Sequence, residues 1–439
     1  MPTDAHAAIP SYEKDFAQFD FMEHGSLDTF DHLGAYRALG PIYTVHFRGE
    51  PWVCIGGLEA NAMAWRNPDL WDYESALTPF REIMGDRHVT QMDGVPHRQK
   101  RRQLKPGFSM SSIGRLIPAI DAVVKRMLGE SANKEVSLHD LFMRSLTYAN
   151  SETVLRAPLS ETEVQTFIRF EEEFIVGTIM ESSARKAFYE RESFVKDKAF
   201  VFGYLGQLVQ RRLDGEQVED NFSEVLKLTL EDRGEEVDLQ ELVSEAYLLL
   251  MAGTGNTAKL LNCGLQRVWK DRPWLEALRE EVESYQPLSF ARGMDAFPKL
   301  KATLMEIERM FPAAPVLARV VAQPMEFEGR KLEPGTKVLH MQTLTHFLEE
   351  IYEDPYDFKP QRWLENNYPK KAHGTFGGST HICLGMNLAR IHMPIVLANM
   401  LKDYAFEATK SPEIQVNFNY GVPQVSDLSG RLVSISRGQ

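Results

Sequence analysis

From Ile113 to about Leu250, apolar residues recur at helical spacing almost throughout, with breaks near Asn133, Pro158 and Gly215. A further helix opens near Pro96, and residues 238–270 read as one long helix capped by Asp238, with Glu241 three residues on. Residues 274–285 and 297–310 read as helices. So does Met386–Asp403, an amphipathic stretch expected to bury Leu388, Ile391, Ile395 and Leu397. Strand-like runs are shorter: residues 41–47 and 52–56 predict a hairpin, and 318–345 predict short strands around Gly329 and Gly335. Residues 1–40 are polar with short helical pieces, and 58–67 look helical. Residues 68–95, broken by Pro68, Pro79, Gly85 and Gly94, read as a long loop of the kind that lines a binding site. No linker or internal repeat stands out. Residues 1–439 are therefore expected to form a single, mainly α domain with a smaller β-rich portion.

Composition sets bounds on this picture. With 439 residues, 43% hydrophobic and 25% charged, the chain has ample material for a large core. A formal charge of -13 argues against nucleic-acid binding. Three cysteines (Cys54, Cys263, Cys383) cannot build a disulfide framework, so a reducing cytosol, hence a cytoplasmic protein, is expected. The N-terminus shows no charged-then-apolar signal pattern, and no run approaches the roughly 20 apolar residues of a membrane span, so no membrane anchor is expected. No G-x-G-x-x-G follows a strand, and no length is spare for a flavin domain, so any electrons have to come from another protein.

Candidate chemistry concentrates between Thr375 and Leu397. A glycine-rich turn delivers Cys383 to the start of the predicted helix, where free N–H groups and the helix dipole favour an anion. A thiolate there is a metal ligand or a nucleophile; otherwise the residue is a small buried hydrophobe. A zinc site from His381, Cys383 and His392 lacks the usual paired spacings. The loop as a whole resembles the haem-binding loop of the haem-thiolate monooxygenases, the cytochrome P450 family, whose pattern is F-G-x-G-x-H-x-C-x-G. Phe376, Gly377, His381, Cys383 and Gly385 match, and Ser379 stands where the second glycine is usual. The resemblance implies the cytochrome P450 fold around a buried haem b (iron protoporphyrin IX), with the Cys383 thiolate as iron ligand.

Other segments resemble motifs of the same family, in its order. Glu306 and Arg309 form an E-x-x-R that, taken alone, reads as a solvated charged pair. The resemblance makes it a buried ion network with Arg362, from a segment similar to F-x-P-x-R. D-G-V-P-H-R-Q-K-R-R, from Asp93, is similar to the segment whose His and Arg bind haem propionates, which gives that task to His97 and Arg101. Arg319 and His381 are implied as further propionate partners; a buried carboxylate needs charge-assisted donors, and Arg offers a two-pronged one. Five of the eight residues 98–105 are basic, and those facing away from haem are expected to form a docking patch for an acidic electron donor.

The centre of the long helix resembles [AG]-G-x-[DE]-T at Ala252, Gly253 and Thr257, with Gly255 in place of the acid and Asn256 in place of the usual Thr. Two mid-helix glycines cost on the order of 1 kcal/mol each, which suggests a ligand pressed against the backbone. In family members the acid and alcohol relay protons during oxygen activation. Thr254, Gly255, Asn256 and Thr257 are accordingly the catalytic candidates, Thr254 above the iron and Asn256 holding a water through its amide. Leu77, Thr78, Phe80, Phe174, Ile175, Ile179, Val316, Leu317 and Val422 are candidate substrate contacts. Their mainly apolar character points to a small or medium apolar organic substrate. The expected activity is O2-dependent monooxygenation, with electrons from a ferredoxin and its reductase. A peroxide-driven or rearranging enzyme, or a haem sensor without catalysis, are the alternatives.

Overall fold

Each predicted helix carries an apolar stripe that has to be covered, and the helices solve this by stacking on one another. Met110–Ser131, Leu138–Ala149, Glu161–Thr178, Glu192–Leu213, Leu239–Met251, Thr254–Lys270, Pro298–Met310 and Met386–Asp403 pool their stripes in one continuous core. The computed structural model describes residues 8–12, 32–47, 50–178, 180–233, 237–291, 293–409, 417–419, 422–424 and 428–435, with backbone only at 417–419 and 422–424.

The smaller β portion is a five-stranded sheet in the order Ile42–Phe47, Glu50–Gly56, Lys337–Met341, Leu317–Val321, Trp71–Asp72. The expected hairpin pairs Phe47 with Glu50, and its second strand runs parallel to Lys337–Met341 with Val53 opposite Val338. Alternation puts Tyr43, Val45 and Phe47 in one apolar cluster, and Ile42 with Val53 and Ile55 in another. Both faces are therefore covered. Among the described residues, no helix is long and apolar enough to cross a membrane.

Four expectations need correction. The helix expected over 238–270 is two, Leu239–Met251 and Thr254–Lys270. Asn150 Nδ2 donates to the Leu250 carbonyl at 2.8 Å, and the Thr254 hydroxyl donates to the same carbonyl at 3.2 Å. Two side chains thus take the acceptor that the helical ladder would use, and the ladder breaks at Ala252 and Gly253. Residues 68–95 are not a plain loop: Tyr73–Ala76 and Thr78–Met84 are short helices. Pro79 lies in the first turn of the second, where proline starts a helix instead of breaking one.

Lys100, counted with the surface charges, is only 2% exposed, with its ammonium bonded to Glu241 at 2.5 Å and to Glu245. Of the basic run, Arg98, Arg102 and Lys105 remain exposed, and Arg102 pairs with Asp232 at 2.7 Å. The docking patch is smaller than the sequence suggests. Met386–Asp403 is not one-sided either: an unbroken run from Ile391 to Leu401 is buried, as in a helix packed on all sides.

Candidate functional site

The cysteine loop closes on itself: the Cys383 N–H donates to the Phe376 carbonyl at 2.8 Å, and Gly385 caps the following helix. A side chain at Gly378 would place its Cβ 2.4 Å from the Trp65 ring, so only glycine fits there. Ser379 has φ 61, the left-handed region that disfavours any residue with a Cβ. This is a physical reason for a glycine at that position. Ser379→Gly is therefore expected to stabilise the protein by about 0.5–1 kcal/mol, read as a higher chemical unfolding midpoint.

Cys383 is exposed, yet enough protein surrounds it that desolvation is the largest influence on its thiol. Together these place the sulfur in a recess of the protein. Burial pushes the thiol up, against the backbone N–H groups of Gly385 and Met386 and the guanidiniums of Arg101 and Arg390. Arg390 also lies 5.2 Å over the Phe376 ring.

The basic residues of the site gather at one rim. His381 stacks between Tyr73 and His97, with ring centroids 3.6 and 3.8 Å away. Burial lowers His97 to about 4 and His381 to about 2, so both are neutral rings near pH 7, each with one N–H to donate. Arg101 reaches from the helix Gly94–Phe108 to the Ile382 carbonyl at 2.8 Å. Arg319 lies 4.4 Å over the Tyr73 ring, and its buried Nε has no hydrogen-bond partner. An unpartnered buried guanidinium nitrogen calls for an anion. Tyr73 was missed because its stretch read as loop, and nothing in the local pattern signals its stacking role.

Residues 252–257 at the helix break divide between two faces. Ala252, Gly253 and Asn256 are exposed, whereas Thr254 and Thr257 are buried. Thr254, expected above the iron, instead uses its hydroxyl on the Leu250 carbonyl and the Asn150 amide. Gly255 faces Met143 of the neighbouring helix, so an acid there would point between helices. Among the substrate candidates, Phe80 and Phe174 meet edge to face at 5.3 Å. Phe174 is buried in the core, and Ile175 is half-buried against it. Thr78 is exposed, and Leu77, Val316 and Leu317 are half-buried near or on the sheet. Val422 belongs to a short strand of which only the backbone is described, and Ile179 lies outside the described residues.

The charged motif behind the loop forms one buried network. Glu306 accepts from Arg309 Nη2 at 2.8 Å, Arg362 Nε at 3.2 Å and the Trp363 indole N–H at 2.8 Å. Arg309 spans onward to the carbonyls of His346 and Pro355, each at 2.7 Å. The Thr375 hydroxyl, at the head of the cysteine loop, donates to the Glu308 carbonyl of the same helix at 2.7 Å.

The family model described as cytochrome P450 matches residues 30–426. The chain belongs to the cytochrome P450 family. A protein of Synechocystis sp. assigned to cytochrome P450 120 is 22% identical over 84% of this chain and 84% of its own length. Bovine (Bos taurus) lanosterol 14-alpha demethylase is 23% identical over 85% of this chain and 77% of its own. The solved structure of cyanobacterial CYP120A1 with retinoic acid bound superposes with a TM-score of 0.81. It covers 93% of this chain and 96% of the other at 19% identity. The fold is that of a cytochrome P450, mainly helical with small sheets, and the protein is an oxidoreductase of the monooxygenase type that uses haem.

The residues present fit that cofactor. A porphyrin needs an apolar slot, an axial ligand on one side and donors for its carboxylates at one edge. Cys383 stands exposed in a recess, and an added Cβ on Gly385 or on Gly253 would meet no atom within 4 Å. Arg319 Nε supplies the unpartnered buried donor.

Proposed function

We propose that the protein holds haem b and inserts one oxygen atom from O2 into a small or medium apolar organic molecule, with electrons from a ferredoxin-type donor. The single observation carrying this reading is the cysteine loop: Cys383 is set in a recess at a helix start, with Arg101, Arg319, His97 and His381 gathered beside it. Bound haem supplies the oxygen activation that no side chain provides. Cys383 would hold the iron through its sulfur. Arg101 and Arg319 would bind the carboxylates as charge-assisted donors, and His97 and His381 would add neutral N–H groups. Asn256, exposed like Gly253 just past the helix break, offers an amide that can hold and orient a water. Phe80, Phe174 and Ile175 would shape an apolar chamber that excludes solvent. Arg98, Arg102 and Lys105 leave a reduced basic face for an acidic donor.

The test is turnover of purified holoprotein with ferredoxin, its reductase and isotopically labelled O2. Candidate substrates come first from a spin-state screen headed by retinoic acid, the ligand bound by the cyanobacterial relative. A product carrying one labelled oxygen atom is expected. Product formed with peroxide but never with O2 and the donor system would overturn the reading.

A further inference from the structure

We propose that Tyr73 is a positioning residue for the cofactor: its ring holds Arg319 and His381 directly, and His97 through His381, in the arrangement that receives the haem carboxylates. The proposal rests on the haem reading above. Three rings and a guanidinium, from four separate segments, form one stack. The Tyr73 and His381 rings lie 3.6 Å apart at 9°, and the His381 and His97 rings 3.8 Å apart at 3°. The Arg319 guanidinium rests 4.4 Å from the centre of the Tyr73 ring. Three of the four members are the donors assigned above to the carboxylates. Tyr73 is the fourth, and it belongs to no motif of the sequence.

The sheet brings Tyr73 to this place. Trp71–Asp72 pairs antiparallel with Leu317–Val321, with Asp72 opposite Val320, so the chain delivers Tyr73 beside Arg319. Two carboxylates then fix the turn. Asp93 Oδ2 accepts from the Tyr73 and Glu74 N–H groups at 2.8 and 3.1 Å, and Asp72 Oδ1 accepts from the Ser75 N–H at 2.8 Å. Three free N–H groups are thereby satisfied in a helix only four residues long. Asp93 stands at the N-cap of Gly94–Phe108, the helix of His97 and Arg101, yet its side chain makes no bond to that helix. The carboxylate serves the Tyr73 turn instead, and its other oxygen lies 4.0 Å from His381 Nε2. One side chain thus pins the turn to the start of the helix.

Arg and His side chains rotate unless they are held, and each rotor that a ligand has to freeze weakens its binding. A stack formed in advance removes that penalty. A flat aromatic face suits both partners, an imidazole ring and a guanidinium, and an aliphatic side chain of similar size offers neither contact. Arg319 is held in this way while its buried Nε keeps no hydrogen-bond partner. The donor is aimed and unspent.

A plain core residue predicts a different outcome, since Tyr73 also packs with Trp71 and Val321 in an apolar cluster of the sheet. Tyr73→Leu fills much of the volume without a flat face, whereas Tyr73→Phe keeps the face. Haem transfer from the holoprotein to excess apomyoglobin reads the difference. Tyr73→Leu should release haem about tenfold faster, as loss of a site's outer partner does, and Tyr73→Phe should stay within about twofold of the unaltered protein. The resonance Raman bands of the haem carboxylates should shift in Tyr73→Leu and not in Tyr73→Phe. Trp52→Leu removes a buried ring from the other apolar cluster of the sheet. It should lower the chemical unfolding midpoint and leave release and bands unchanged. Unaltered release and bands in Tyr73→Leu would overturn the proposal. So would equally fast release from Trp52→Leu, which means general loosening, or from Tyr73→Phe, which gives the task to the hydroxyl. If Tyr73→Leu does not fold around haem, Asp93→Ala at its half-buried site must speed release and shift the bands, and normal values there overturn the proposal equally. If the unaltered protein takes up no haem, or lacks a thiolate-type spectrum, the haem reading itself fails, which separates the two failures.

Discussion

Cys383→Ser is expected to abolish the thiolate-type band of the reduced carbon monoxide complex and to lower turnover by more than the roughly 10–100-fold that loss of a metal site's outer partner costs. The position of the sulfur is the reason. Its loop is closed by the Cys383 N–H to the Phe376 carbonyl and rests on Trp65 through Gly378. The N–H groups of Gly385 and Met386, with Arg101 and Arg390, act on the sulfur from the protein side. A serine hydroxyl inherits this setting without the soft, polarisable donor that favours iron with strong thiolate character. Cys54 and Cys263 supply the control, since both are fully buried in apolar clusters. Cys263→Ala should leave the spectrum intact while costing some stability. A thiolate-type band that survives Cys383→Ser, or disappears in Cys263→Ala, would move the axial ligand elsewhere.

The parts of this arrangement that were legible in the sequence share one property: local signals decided them. The helix Met386–Asp403 spans the residues expected of it, and the two hairpin strands pair antiparallel as expected, although the second begins at Glu50, two residues earlier than its sequence suggests. The order of motifs pointed to the family match across residues 30–426. What stayed hidden depends on residues far away in the chain. The break at Ala252 and Gly253 is made by Asn150, a hundred positions earlier, so apolar periodicity runs straight through it. Lys100 looks like one more surface charge until Glu241 and Glu245 close over it. The inward turn of Thr254 follows from the same Asn150 contact. The strain at Ser379 was visible only as a departure from a glycine pattern, and the backbone angle supplies its meaning.

Glu306→Leu should cost about 3–5 kcal/mol, a large part of the roughly 5–15 kcal/mol that separates a folded domain from its unfolded chain. Glu306 and Arg309 are both fully buried, and Arg362 nearly so. Beyond its side-chain partners, Glu306 also accepts from the Lys359 backbone N–H at 2.9 Å, fixing the segment that leads to Arg362. Removing the carboxylate leaves two guanidiniums in the interior with backbone carbonyls as their main remaining partners. Carbonyl dipoles compensate a buried charge only in part. Glu306→Gln keeps the volume and one acceptor, so its loss should be smaller, about 1.5–3 kcal/mol. An exposed pair makes the contrast: Arg37→Ala, which breaks the contact with Glu349, should change stability by less than about 0.5 kcal/mol. Chemical unfolding followed by tryptophan fluorescence and by haem release reads all three variants. The network joins the helix Pro298–Met310 to the segment before the cysteine loop, so haem release should shift together with unfolding in the Glu306 variants. Leucine tolerated at a cost below about 1 kcal/mol would mean that close packing, not paired charge, holds this junction.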